Sequence, residues 1–309
     1  MGFQVAPATE QDWTEVVEWA AAEGWNPGLA DHAHFLAQDP DGFFLGRLDG
    51  RPVSAVSVVA YDDAYAFLGF YLVRPELRGR GFGLATWRAG LEHAGTRTVG
   101  LDGVVAHQDT YRKSGFSFAY RTVRYAGTPT ARAPWGGAEV KPDPHGPAAA
   151  RTGGRTIART GELTGGLIEI GEDPELVRAV AAYDGRCHPA DRPEFVARWV
   201  TAPYHTALAV VRDERVRGYG VIRPARTGHR VGPLFADTLE DAAALFDALA
   251  APVEGALVLL DVPEPNQAAS SLAKERGLEP VFETARMYTG PIRQPSEQNI
   301  YGVTSLELG

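Results

Sequence analysis

Arginine and glycine alternate in the run Arg78-Gly79-Arg80-Gly81-Phe82-Gly83. Without a Cβ, a glycine can take positive φ and let main-chain N–H groups approach a ligand closely. A guanidinium keeps its charge at any physiological pH. An apolar run over 66–73 leads into this turn, and Leu84, Trp87 and Leu91 follow at helical spacing. Strand, glycine turn and helix start aim several N–H groups and a helix dipole at one small volume, which is chemistry for gripping a pyrophosphate. Two common phosphate loops do not fit. A P-loop needs Lys-Ser/Thr after its last glycine, where this chain has Leu84-Ala85, and the residues after Gly81 lack the dinucleotide spacing. On these residues alone, a structural turn fits as well as an anion site.

The longer pattern, V-x-P-E-x-R-G-x-G-x-G ahead of a helix, resembles the acyl-CoA loop of the GNAT superfamily of N-acetyltransferases, R/Q-x-x-G-x-G/A. Residues Arg78 to Gly83 fill it. Tyr111-Arg112-Lys113-Ser114-Gly115-Phe116 is similar to the Y-x-K-x-G-F that ends the same superfamily's core, in the expected order. The resemblance implies a mixed α+β fold, a central mixed sheet flanked by helices, with acetyl-CoA as cosubstrate and no metal. It further implies that Leu72 and Val73 hold the pantetheine through their main chain where two strands part. Arg78, Gly79, Arg80, Gly81, Phe82, Gly83 and Leu84 would hold the pyrophosphate, and Tyr111 would serve the departing thiolate as a weak acid. The other reading of Tyr111 is a helix tyrosine covering the core beside Phe116 and Phe118.

The general base is harder to place. Many such chains carry a glutamate on the central strand, and residues 66–73 contain none. Glu76, Asp62, Asp63, Asp102 and a relayed water remain open. Trp25 and Asn26, in a turn after the first helix, fall where the family places its variable acceptor loop, and Asp102 ends the neighbouring strand. These three are the candidate acceptor contacts. The acceptor is expected to be a small-molecule amine ahead of a protein lysine, and a homodimer is compatible with the family.

These residues need elements to carry them. Thr9-x-x-Asp12 predicts a capped helix, followed by a short helix over 32–39. Strands over 43–46 and 53–59 join through Asp49-Gly50, a hairpin signal. The strand over 66–73, the helix after Gly83 and the strand over 99–105 complete a β-α-β unit, with 123–125 expected to close its sheet. From 127 to 166 the chain is rich in Gly, Pro, Ala and Thr, the composition of a linker, and His145 there is read as solvent-facing. The expected organisation is therefore a catalytic domain at 1–130, a linker or crossover at 131–165 and a second lobe at 166–309.

The second lobe reads as a worn copy of the first. Strands at 218–222 and 231–235, a helix capped by Asp237-x-x-Glu240, a strand at 256–262 and a helix at 266–278 repeat the order. The glycine turn is missing, and Ala273 stands where the first half has Tyr111. The copy, with Arg286–Gly290 and Tyr301–Gly309 in its tail, resembles the noncatalytic YitH-like domain of tandem bacterial acetyltransferases. Such a lobe is expected to close over the first, with Asp261, Glu264 and Asn266 as a polar cluster whose acids suit a cationic acceptor, or else as a solvated loop between strand and helix. Cys187-His188 with Asp191 is set aside as a nucleophile, because neighbours in sequence rarely face each other usefully.

Composition bounds the rest. The 309 residues carry a net charge of −9 at pH 7, which argues against nucleic acid or an anionic membrane as partner. One cysteine allows no intrachain disulfide and no cysteine-rich zinc site. No signal pattern or long apolar run is present, so the expected compartment is the cytoplasm. The rival functions are a noncatalytic acyl-CoA sensor and a scaffolding protein.

Overall fold

The computed structural model describes residues 2–130 and 166–309. The linker expected at 131–165, with His145, lies outside the described residues. In the first half the order is β1 (Phe3–Pro7), α1 (Glu10–Ala22), α2 (Asp31–Gln38), β2 (Phe43–Leu48), β3 (Arg51–Ala60), β4 (Tyr65–Val73), α3 (Phe82–Ala94), β5 (Thr98–Val104), α4 (Gln108–Lys113) and β6 (Ser117–Gly127). The second half gives β7 (Gly166–Glu169), α5 (Pro174–Asp184), α6 (Pro193–Val200), β8 (Thr206–Arg212), β9 (Arg215–Pro224), β10 (His229–Ala236), α7 (Leu239–Ala250), β11 (Val258–Pro263), α8 (Gln267–Glu275), β12 (Glu279–Tyr288) and β13 (Ile300–Gly302).

Local signals account for many of the boundaries. Thr9 caps α1 through a capping box: its hydroxyl accepts the Asp12 N–H at 3.2 Å, and Asp12 accepts the Thr9 N–H at 3.0 Å. Asp49 and Gly50 turn the β2–β3 hairpin with φ of 50° and 83°. The cap of α7 falls one residue later than the sequence suggests. Thr238, not Asp237, accepts from the Asp241 N–H, and Asp237 instead takes the Tyr183 hydroxyl at 2.9 Å.

The mixed sheet runs β1-β2-β3-β4-β5-β12-β6-β11-β10-β9-β8-β7, with β13 paired to β10. Residues 123–125 therefore do not close the first half's sheet. β12, from the second half, pairs with β5 (Ala285 opposite Gly103), and β6 pairs with β12 and with β11. The two halves have exchanged their last strands. Each lobe's ladder is completed by a segment distant in sequence, so the lobes are continuous in sheet although separate in sequence.

Trp13 is fully buried on one face of the sheet, edge-on to Phe43 with ring centres 4.7 Å apart. That core continues into the second half through Phe195 and Trp199 and into the tail through Leu306 and Leu308. Trp87, Tyr111 and Phe116 pack on the other face against β3–β5, with Met287 of β12. Buried ion pairs join the halves: Asp31 with Arg223 at 2.7 Å and Arg124 with Asp261 at 2.6 Å. Removing one member of such a pair typically costs ~3–5 kcal/mol, because the other charge stays buried and alone.

Candidate active site

β4 and β5 run parallel and pair only from Tyr65 opposite Thr98 to Leu68 opposite Leu101. Beyond that they part. The cause lies on the other edge of β4, where Ser57 faces Gly69 and Ala55 faces Leu72, leaving Phe70 and Tyr71 opposite the single residue Val56. Phe70 takes φ of 47°, an unusual value for a residue with a side chain, and its ring fits against Trp13 at 5.7 Å. The bulge bends β4 away from β5. A cavity of about 550 Å³ opens between the strands, large enough for a flexible chain and a small second ligand.

The predicted loop borders the cavity. Gly79 and Gly81 have φ of 74° and 86°, and nothing crowds either position, so the backbone conformation is what calls for glycine. At Gly83 the reason is proximity: a Cβ there would lie 2.7 Å from both the Tyr71 hydroxyl and a Val73 methyl. Gly81 is the N-cap of α3 and offers no side chain, so the N–H groups of Phe82, Gly83 and Leu84 have no partner within the helix. Arg78 donates to the Val73 carbonyl at 3.1 Å and pairs with Glu23. Arg80 lies outside the lining, its guanidinium over the Phe82 ring at 5.1 Å. Leu72, Val73, Arg78, Gly79, Gly81, Phe82, Gly83 and Leu84 all border the cavity.

Tyr111 borders it from α4. Its ring stacks 5.7 Å from Trp87 and covers Gly103, where any Cβ would overlap the ring. Burial pushes the phenol up to about 12, so it is a protonated donor at neutral pH. Tyr71 stands nearby, edge-on to Trp87 at 4.8 Å, and burial raises its phenol too.

The acceptor candidates fare differently. Trp25 borders the cavity, and its carbonyl accepts from Arg124 at 2.5 Å. Asn26 is outside the lining: its amide exchanges two hydrogen bonds of 2.9 Å with the main chain of Thr227, tying the loop to the β9–β10 turn. Asp102 borders the cavity, but its oxygens are committed. Arg286 donates to one at 2.5 Å, and Thr122 and Thr284 donate to the other at 3.0 and 3.2 Å. Burial alone would lower the Arg286 pKa, and Asp102 beside it more than offsets that.

In the second half, two members of the polar cluster, Asp261 and Asn266, are structural, and Glu264 is exposed. Asp261 is buried between Arg124 and Arg230 (2.8 Å); burial would raise its carboxyl, yet the two guanidiniums hold it well below the usual range. Asn266 caps α8 and donates to the Gln298 and Ile300 carbonyls at 3.0 Å. Cys187 is buried away from the cavity, its thiol pushed up by burial. Among the described residues no group of three or more His, Cys, Asp or Glu could hold a metal, and no helix is long and apolar enough to cross a membrane.

The same parting of strands recurs there. β10 and β11 pair from His229 opposite Val258 to Val231 opposite Leu260, and Gly232 and Pro233 bulge opposite Val221. Here the gap is filled. β13 pairs with β10, Leu234 opposite Gly302, and the next residue, Val303, donates to the Asp261 carbonyl of β11 at 2.9 Å. The helix that follows β10 is capped by its own Thr238. Sequence reasoning found the lost glycine turn but not this plug, since β13 is three residues long and its pairing is remote. It also missed cavity residues from the second half: Phe282, Thr284, Leu306 and Glu307.

Comparison with known proteins agrees with this duplication. Residues 8–116 match the model of the acetyltransferase (GNAT) family, and residues 180–302 match that of an acetyltransferase (GNAT) domain. Holothin acyltransferase of Pseudoalteromonas sp. (strain SANK 73390) is 32% identical over 304 residues, 98% of this chain and 93% of that protein. A putative acetyltransferase from Pyrococcus horikoshii shares the fold at a TM-score of 0.76 and 22% identity, over 100% of this chain and 96% of that one. A tandem GNAT protein from the clavulanic acid biosynthesis pathway does so at 0.61 and 18%, over 95% and 99%.

Proposed function

The chain belongs to the GNAT family of acyltransferases, and from that premise we propose that it moves an acetyl group from acetyl-CoA to a small primary amine by direct attack in a ternary complex. The observation that carries the proposal is the open gap between β4 and β5 beside the uncapped start of α3, set against the filled gap in the second lobe. The N–H groups of Phe82, Gly83 and Leu84, with Arg78, hold the pyrophosphate, and Arg80, outside the lining, adds its charge from the rim. The freed main chain of Leu72 and Val73 holds the pantetheine as an added strand would. The thioester then lies where β4 leaves β5, with Tyr111 to protonate the leaving sulfur. Bringing amine and thioester together supplies most of the acceleration, since it turns a bimolecular step into a nearly unimolecular one.

Direct attack is supported by the lining, which among the described residues contains no cysteine or serine, and the Thr284 hydroxyl there is already bonded to Asp102. A small acceptor is supported by the lining. Trp25 and Phe70 from the first lobe and Phe282 and Leu306 from the second all border the cavity, apolar side chains suited to a compact amine. The second lobe thus acts as a fixed wall of the acceptor pocket. The sequence domains remain 1–130 and 166–309, joined across 131–165, and a cytoplasmic location goes with this reading. Whether acetyl or a longer acyl group is preferred is part of the test, because the 32% identical relative is named for acyl transfer.

The test is calorimetric titration with acetyl-CoA and longer acyl-CoA esters, followed by thiol-reagent detection of CoA released in the presence of primary amines. Binding with amine-dependent release is expected. Binding with no release for any amine points to the noncatalytic sensor, and no binding removes the enzyme reading altogether.

A further inference from the structure

We propose that Glu307, brought into the cavity by the tail that follows β13, is the group that takes the proton from the acceptor amine. The proposal rests on the acyl-transfer reading above. It supplies what β4 lacks, since no acid lies between Tyr65 and Val73. After plugging the second lobe's gap, the tail continues into the first lobe's. Thr304 is gripped by Arg192 at its hydroxyl (2.7 Å) and by Arg223 at its carbonyl (3.1 Å). The Ser305 hydroxyl accepts the Glu307 N–H at 3.1 Å, and the Leu308 carbonyl accepts the Tyr61 hydroxyl at 2.8 Å. Between these ties the tail crosses β4 directly over Gly69, beside the bulge. A Cβ on Gly69 would overlap the Glu307 carbonyl. A glycine on the central strand is what lets this main chain pass.

Three other acids need to be weighed. Glu23 borders the cavity but pairs with Arg78 at the pyrophosphate end. Asp102 borders it with both oxygens engaged at 3.2 Å or less. Asp261 is held by two guanidiniums at 2.6 to 2.9 Å. Glu307 borders the cavity and is 4% exposed, yet its partner Arg230 reaches each carboxylate oxygen only at 3.4 Å. Arg230 makes its shorter bond, 2.8 Å, to Asp261. Each Glu307 oxygen thus accepts a single long bond, where those of Asp102 and Asp261 accept short ones, and this leaves Glu307 the most capacity for an incoming ammonium.

The ammonium gives one proton to the Glu307 carboxylate and gains a free lone pair. That pair forms the C–N bond to the thioester carbon as the C–S bond breaks. The Tyr111 phenol protonates the thiolate and recovers a proton from the acylated nitrogen. Glu307 returns its proton to water, so acyl-CoA and ammonium yield amide, CoA thiol and one proton.

The experiment uses the full chain, acetyl-CoA, and benzylamine, tryptamine and spermidine as acceptor probes. E307Q keeps the side chain's size and its contact with Arg230. It is expected to bind acetyl-CoA as the wild type does and to lose about 10²- to 10⁴-fold in kcat/KM for the amine. E307A is expected to regain activity in proportion to added formate, which a merely structural role would not produce. E307Q at the wild-type rate overturns the proposal, and so does an E307A variant that formate fails to revive. A wild type that fails to bind acetyl-CoA, or that binds it and acylates none of the probes, instead defeats the functional reading beneath it.

Discussion

Gly69→Ala isolates the crossing of tail and central strand in one methyl group. Gly69 pairs with Ser57 in the β3–β4 ladder and does not have a positive φ, so alanine meets no backbone penalty there. The penalty is contact: the new Cβ would overlap the Glu307 carbonyl oxygen and lie 3.0 Å from its carbon and 3.1 Å from its Cα. Ordinary carbon contacts begin near 3.5 Å, so the tail must retreat by on the order of 1 Å. Pressing an extra methyl into a packed place typically costs about 1–3 kcal/mol. A misplacement of about 1 Å at a reacting group can cost about 10²-fold in rate. Urea unfolding of the variant should therefore show a modest loss of stability, and kcat/KM for the amine should fall about 10²-fold. The acetyl-CoA dissociation constant should stay close to that of the wild type, because the pyrophosphate turn at 78–83 is untouched. Full amine turnover in a stable variant would refute the reasoning, as would a loss of coenzyme binding that matches the loss of rate.

Tyr111→Phe should lower kcat by about 10²- to 10⁴-fold with little change in acetyl-CoA affinity; with the phenol at about 12, the wild-type rate should show no fall from Tyr111 ionisation at pH 7 to 9. A full-speed phenylalanine variant removes Tyr111 from the mechanism. His205, which donates to the Trp199 carbonyl at 2.8 Å, has its pKa pulled by burial from 6.5 to about 4. Its folded pKa is below the unfolded one, so the unfolded chain binds the extra proton first and stability falls as pH drops from 6.5 towards 4, by roughly 3 kcal/mol. Urea titrations across that range should show the slope, and His205→Gln should flatten part of it; an unchanged slope refutes the assignment. A fragment of residues 1–130 should not fold to an active lobe, since it leaves β5 without β12 and the cavity without Phe282 and Glu307. Circular dichroism and CoA release would check this, and an active fragment would contradict the exchange of strands.

What the sequence discloses is what is local. The turn from Arg78 to Gly83 and the start of α3 are legible because glycine φ, charge and helical spacing lie within a dozen residues. Tyr111 is legible through the short motif around it, and Thr9 through its capping box. The strand over 123–125 was expected to close the first sheet because nothing near it says which partner it will take. β12 is remote in sequence, and an apolar strand pattern carries no address. Asp102 and Asp261 look like free acids at strand ends, and only their arginine partners, Arg286 for the one and Arg124 and Arg230 for the other, reveal them as structural. Glu307 is the clearest omission. Its tail carries a family-like pattern but no sign of chemistry in the sequence, because the plug and the crossing at Gly69 that place it beside the bulge are contacts remote along the chain.

The most direct test is a crystal structure of the full chain with bound coenzyme A. The account predicts one coenzyme per chain, its pyrophosphate on the N–H groups of residues 82–84 and its pantetheine between β4 and β5, with β13 still seated in the second lobe. A coenzyme lodged between β10 and β11 with β13 displaced, or one bound away from residues 78–84, would contradict it.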